Sequence, residues 1–155
     1  MRSRPRFICA AAIFSVVLGL CWGTVSALPQ PATTLEVRLA EMESAVGLTE
    51  ATVSGSGQKI YLHSEAVVTN ADVIRARVVP GNGGRFNVDV VFSNDGSAKM
   101  TRATQSHLQR PLAILVNGRV IAAPIVRDQI SGSAVISGDF SSSEAEAIAA
   151  GLNSR

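Results

Sequence analysis

Residues 112–126 read LAILVNGRVIAAPIV. Leu112 to Val116 is an unbroken apolar run, and Asn117-Gly118 follows it directly. Asn and Gly tolerate the positive φ angles of a two-residue hairpin turn, so the pair predicts a β-hairpin with Val120 and Ile121 on the returning strand. Pro124 has no amide hydrogen to give to a strand ladder, which predicts that the return strand lies at an edge or runs into a bulge. Ile125 follows as one more aliphatic residue.

On either side of this hairpin the period changes. Upstream, Met100, Ala103, His107 and Leu108 recur at helical spacing. Ser93-Asn94-Asp95 supplies oxygens for the free amides of a first turn, and Pro111 stops the helix. Downstream, a turn near Ser131-Gly132 leads to a strand over 134–137. Ser141 and Glu144 then form a capping box. Ala145, Ile148, Ala149 and Leu152 share one helical face, and Gly151 weakens its end. Earlier in the chain, Leu35, Val37 and Leu39 alternate with Glu36, Arg38 and Ala40. Residues 43–58 are polar and Gly/Ser-bearing and read as a loop, 59–62 as a short strand, and Thr69-Asn70-Ala71-Asp72 as a turn or one helical turn. Ile74, Ala76 and Val78 alternate with Arg75 and Arg77, the glycine-rich stretch 80–84 breaks the chain, and Phe86, Val88, Val90 and Phe92 alternate again, which makes a second hairpin. The count is six or seven strands and two helices. The fold class is α+β, a mostly antiparallel sheet with two helices packed on one face.

The first 27 residues stand apart. MRSRPR is a positive start, Phe7 to Trp22 is a 16-residue apolar run, and Val25-Ser26-Ala27 approximates a small-x-small cleavage pattern. The expectation is a secretory signal peptide cut after Ala27. The alternatives are an uncleaved N-terminal membrane anchor and, less well matched because Leu20 precedes it, a lipoprotein site at Cys21. Residues 28–34, with Pro29 and Pro31, read as a linker. Removing 1–27 takes away Arg2, Arg4 and Arg6 and no acid, which turns the formal charge from +2 to −1. That excludes a general nucleic-acid binder, which carries a strong positive field. Cys9 and Cys21 leave with the same segment, so the remainder has no disulfide, thiolate metal site or cysteine nucleophile.

Nothing in the remaining residues assembles a reaction centre. His63 and His107 lack the spaced partners of a three- or four-ligand metal site. Serines abound, but no Gly-x-Ser-x-Gly elbow is present. Asp89, Asp95, Asp128 and Asp139 are scattered through turns and strands. The stretch 80–84 joins two strands, whereas a phosphate cradle needs a helix N-terminus after it. Arg75 and Arg77 share one strand face, near Arg85, Asn87 and Asp89, and read as a wet sheet face or a polar docking surface. The expectation is therefore no catalytic residue, no cofactor and no metal.

Several linked pieces resemble one family. Phe92-Ser-Asn-Asp-Gly96-Ser-Ala98-Lys99, the hairpin from Leu112 to Pro124, Ile130-Ser-Gly132, Ile136-Ser-Gly138-Asp-Phe140 and Glu144-Ala145 follow in the order and spacing of the head of the first periplasmic domain of SecD or its fused form SecDF, accessory subunits of the bacterial protein-export translocon. The upstream YLHSEAVVTNADV is similar too. The resemblance covers 58–153 and is strongest over 92–152. Asn117 stands where the family often has Asp, and Arg110-Pro111 replaces a glycine-basic pair. The family continues into further periplasmic strands and membrane helices, to which its proton-linked work is attributed; none of those residues has a counterpart here.

The resemblance implies a SecDF head domain over 58–155, after a strand and linker over 28–57, exported on its own into the periplasm or beyond. Its implied partners are exported or unfolded polypeptides or translocon subunits, with no nucleic acid and no small-molecule substrate. Membrane contact would run only through an uncleaved N-terminal segment. The alternative is a cell-envelope interaction domain that reuses the fold for an unrelated partner. The candidate receiving surface is Val120, Ile121, Pro124 and Ile125, by strand addition at an edge flanked by aliphatics. Against it stands core filling, the preferred reading for most of these side chains.

Overall fold

The computed structural model describes residues 33–154; the segment expected to be a signal peptide, with its expected cut after Ala27, residues 28–32 of the expected linker, and Arg155 lie outside the described residues. From Thr33 the chain runs directly into β1 (Leu35–Glu41), then β2 (Thr49–Thr52) and β3 (Lys59–Thr69). One 3-10 turn at Asn70–Asp72 leads to β4 (Val73–Pro80), and a second at Asn82–Gly84 to β5 (Phe86–Phe92). Then come α1 (Asn94–Ser106), β6 (Leu112–Val116), β7 (Arg119–Ala122), β8 (Ser133–Phe140) and α2 (Ser142–Asn153). The α+β class holds, and every strand pair is antiparallel.

The strands divide between two sheets, ordered β2-β3-β1-β6-β7 and β4-β5-β8. Alternation within a strand says which face is apolar, not which strands share a sheet, so this partition is new information. The main core lies between the sheets and helices: Leu35 and Val37 of β1, Val88 and Val90 of β5, Leu112 and Ile114 of β6, Met100 of α1, and Ala145, Ile148, Ala149 and Leu152 of α2. A smaller core of Ala40, Val53, Ile60, Leu62, Ala113, Leu115 and Val120 covers the opposite face of the larger sheet. β6 is apolar at every position because alternate residues feed the two cores, the pattern of a strand buried on both faces.

The hairpin turn is as expected, with Asn117 at φ 51° and Gly118 at φ 75°. Ser93 caps α1 by accepting from the Gly96 amide at 3.1 Å, and Ser141 and Glu144 form the capping box of α2. Four expectations are corrected. The stretch 43–58 contains β2, a polar edge strand with no apolar alternation to betray it. β3 runs on to Thr69, carried past His63, Ser64 and Glu65 by register shifts against β1. Ile74 points outward at 59% exposure because a register shift between Val73 and Arg75 reverses the alternation. Finally, α1 ends at Ser106, so His107 is its C-cap and Leu108 is exposed; Gln109, at φ 64°, turns the chain before Pro111 is reached.

Two polar ties set the geometry. Asp72, 6% exposed, accepts from Lys99 Nζ at 2.7 Å and from the Thr69 amide at 3.0 Å, while its carbonyl accepts from the Ser93 amide at 2.8 Å. Gly96 in the first turn of α1 lies so close that a Cβ there would stand 2.8 Å from the Asp72 backbone oxygen. At the other end, Gly151 of α2 leaves room only for Thr33, whose side chain would overlap a Cβ at that position. This glycine therefore serves close packing at the start of β1 rather than only loosening the helix.

Candidate functional site

β7 and β8 are edge strands of different sheets, and they lie next to each other without joining into one ladder. The seam between them opens into two hollows. The turn-end hollow, about 380 Å³, is lined by Arg119 and Ile121 of β7, Gly138, Asp139 and Phe140 of β8, Glu144, Ala147 and Ile148 of α2, and Thr33. The second, about 270 Å³, lies further along β8 and past the end of β7; Pro124, Ile130 and residues 133–136 line it over a floor that includes Met100, Leu112 and Ile114. One side of the seam therefore runs from Arg119 to Pro124 and the other from Phe140 back to Ser133. Elongated and mostly apolar, it carries charge at the turn end only.

The four residues singled out from the sequence take different places around this seam. Val120 is 4% exposed and fills the smaller core. Its carbonyl already accepts from the Ser54 amide at 2.8 Å, so the β7 edge is partly closed there. Ile121 is half-buried, packs against the main core and lines the turn-end hollow. The register shift between Ile114 and Leu115 makes it the extra residue of a bulge. Pro124 is exposed and lines the second hollow, while its carbonyl accepts from the Leu112 amide at 2.9 Å. Ile125 is 41% exposed and pairs with Pro111 through an isolated bridge. Ile121 and Pro124 are thus brought to the seam. The sequence reading missed the opposite wall: Ile130, Ala134, Phe140, Ala147 and Ile148. Apolar alternation at Ala134 and Ile136 marks an inward face, but no local signal says that this wall lies against β7.

Charge at the turn end is arranged by local contacts. Asp139 pairs with Arg85 at 2.9 Å. The Ser141 backbone amide, then its hydroxyl, hold the Glu144 carboxyl below its ordinary value of 4.5; burial opposes the shift and Arg85 adds to it. For Asp72, burial is the largest single influence and acts upward. The Lys99 ammonium, the Thr69 amide and the Thr69 hydroxyl together outweigh it and lower the carboxyl from its ordinary 3.8.

The two histidines hold structure together. The His107 ring is 3% exposed, and its Nε2 donates to the Ala40 carbonyl at 2.8 Å. His63 Nε2 lies 3.3 Å from Glu41 Oε1, which also accepts from Arg110 at 3.0 Å. The two rings meet edge to face at 6.0 Å. No serine hydroxyl is among these partners. Among the described residues no group of three His, Cys, Asp or Glu side chains is placed to hold a metal ion. On the outer face of the smaller sheet, Arg77 and Asp89 pair across strands at 2.7 Å. Among the described residues no helix is long and apolar enough to cross a membrane.

Known proteins share this sequence pattern and this fold. The chain is 39% identical over 89 residues to the protein translocase subunit SecDF of Thermus thermophilus, covering 57% of this chain and 12% of that protein. It is 33% identical over 102 residues to the protein translocase subunit SecD of Endomicrobium trichonymphae, covering 64% and 22% respectively. The chain thus spans between about an eighth and about a fifth of these relatives. A crystal structure of SecDF in a super-membrane-facing form superposes with a TM-score of 0.63 at 27% identity, over 79% of this chain and 19% of that one. A second structure, of a membrane component SecDF that enhances protein export, gives 0.62 at 26% identity, over 79% and 62%. The pattern of the SecDF P1 head subdomain matches residues 45–154, which takes in every described element from β2 to α2 and both walls of the seam, and the chain belongs to that family.

Proposed function

We propose that this chain is a non-enzymatic, extracytoplasmic binding domain that receives extended segments of exported polypeptide along the seam between β7 and β8. The observation that carries the reading is the seam itself: two edge strands of separate sheets flank an apolar trough. An extended chain offers both things such a trough takes, backbone groups for an unpaired strand edge and alternate side chains for the hollows. β8 supplies the longer free edge, since the Val120 carbonyl on β7 is already occupied. Relatives named as protein translocase subunits, and a SecDF described as enhancing protein export, support this reading. The leader-like first 27 residues agree with a position outside the cytoplasm.

The test is fluorescence anisotropy with a labelled, unfolded export client titrated with the exported protein. Saturable binding at micromolar concentration is expected, weakened about tenfold by Ile121→Asp or Ala134→Asp, because a charge desolvated in an apolar trough is strongly unfavourable. No binding at high micromolar concentration, or binding indifferent to both substitutions, overturns the reading. A pull-down that returns one folded envelope protein and no unfolded client also counts against it.

A further inference from the structure

The smaller sheet has two edges, β4 and β8, and they are finished differently. In an antiparallel ladder alternate residues turn both backbone groups to the same side. Ala76, Val78 and Pro80, opposite Val90, Val88 and Phe86, form one such set on β4. This set turns away from β5, because the backbone of Ala76 meets a side chain from α2. The Ala76 amide donates to Asn153 Oδ1 at 2.8 Å, and the Ala76 carbonyl accepts from Asn153 Nδ2 at 2.8 Å. A planar carboxamide brings an acceptor and a donor side by side, the same two functions that a neighbouring strand would present. Asn153 thus stands where a further strand would lie.

The rest of that edge offers little. Pro80 has no amide to donate. The Gly81 amide beyond it is taken by the Arg85 carbonyl at 2.9 Å. Val78 is left, among the described residues, as the one member of the outward set with both groups free. Strand addition draws its affinity from a row of main-chain bonds, and a single residue supplies no row. The carboxamide is also held from behind: Leu152 is 2% exposed in the main core and Gly151 packs on Thr33, which fixes the last turn of α2. β8 has no such cover. Among the described residues only β5 bonds the backbone of residues 134–138.

We propose that the Asn153 carboxamide is a built-in substitute for a strand, which closes β4 and leaves β8 as the edge of the smaller sheet where an extended polypeptide adds. The closing of β4 stands on the hydrogen bonds alone; the choice of edge rests on the function proposed above.

The test is Asn153→Ala. Asn153 is exposed, so its truncation leaves the buried face of α2 in place. In the purified exported protein, amide exchange read by NMR is expected to quicken about tenfold at Ala76 while the amides of β5 keep their rates. Asn153→Asp keeps an acceptor for the Ala76 amide and loses the donor to its carbonyl, so Ala76 is expected to stay slow in that variant. In cells, a photo-crosslinking residue at Ile74, exposed on β4 two residues from Ala76, is expected to give about fivefold more adducts to unfolded export clients when Asn153→Ala is added. Unchanged exchange at Ala76 in Asn153→Ala, or equal acceleration in both variants, overturns the closure. Faster exchange without more adducts at position 74, while position 124 still captures clients, overturns the choice of edge. Faster exchange with no adducts from either position leaves β4 closed by Asn153 and removes the function proposed for the seam.

Discussion

β6 and β7 are joined by two residues and carry similar aliphatic sequences, yet they end in opposite surroundings. All five residues of β6 are buried, with Leu112, Ile114 and Val116 facing the main core and Ala113 and Leu115 the smaller one. In β7 only Val120 is buried, and the chain beyond it places Pro124 and Ile125 at the surface. β6 has β1 on one side and β7 on the other; among the described residues β7 has no strand on its outer side. Apolar composition reports burial when a strand is flanked on both sides. At an edge, the same composition lines a trough that a second chain can fill.

The comparison breaks first at Leu112. Leu112→Ala is expected to cost about 2–5 kcal/mol in urea unfolding, because it opens a cavity in the main core. Val120→Ala, which empties part of the smaller core, costs about 2 kcal/mol. A Val120→Ala loss within error of zero would show that this β7 side chain is not core at all. Gly151→Ala forces Thr33 away from α2 and costs about 1–3 kcal/mol as overpacking, with early amide exchange at residues 34–36 as its local signature. Ser93→Ala removes the cap of α1 at about 1 kcal/mol. Ile125→Asp changes stability by no more than about 0.5 kcal/mol, since the side chain is exposed. A large stability loss at Ile125 would erase the distinction between the two strands.

Acid sharpens the account of what covers β6. α1 lays Met100 over its inner face, and Asp72 anchors the start of that helix. The Asp72 carboxyl is lowered in the folded state, so its contribution is present above the ordinary value of 3.8 and disappears as pH falls through the lowered one. Wild type is expected to lose stability below about pH 4, and Asp72→Asn to be less stable at neutral pH with a flatter acid limb. Identical acid limbs in the two proteins would contradict the assigned role.

Much of this was legible locally. The Asn117-Gly118 turn, both helix caps and the buried face of α2 follow from side-chain chemistry within a few residues, and the structure reproduces each. What escaped depends on distant partners. β2 is polar because it is an edge strand tied by pairing and by the Lys59–Glu50 ion pair at 2.9 Å, not by burial. Ile74 follows a bulge that no alternation announces. The far wall of the seam could not be read, since residues 133–140 meet β7 only once two sheets have formed. Pro124 and Ile121 were found because proline and a turn leave local marks; Ala134 and Ala147 leave none.

The most direct test of the seam is a photo-crosslinking residue placed at Pro124, which is exposed and lines the second hollow, in cells exporting the protein, compared with the same residue at Ile74, an exposed aliphatic on β4, the opposite edge of the smaller sheet. The account predicts adducts to many different unfolded export clients from position 124 and few from position 74. Equal yields at the two positions, or a single folded partner from both, would contradict it.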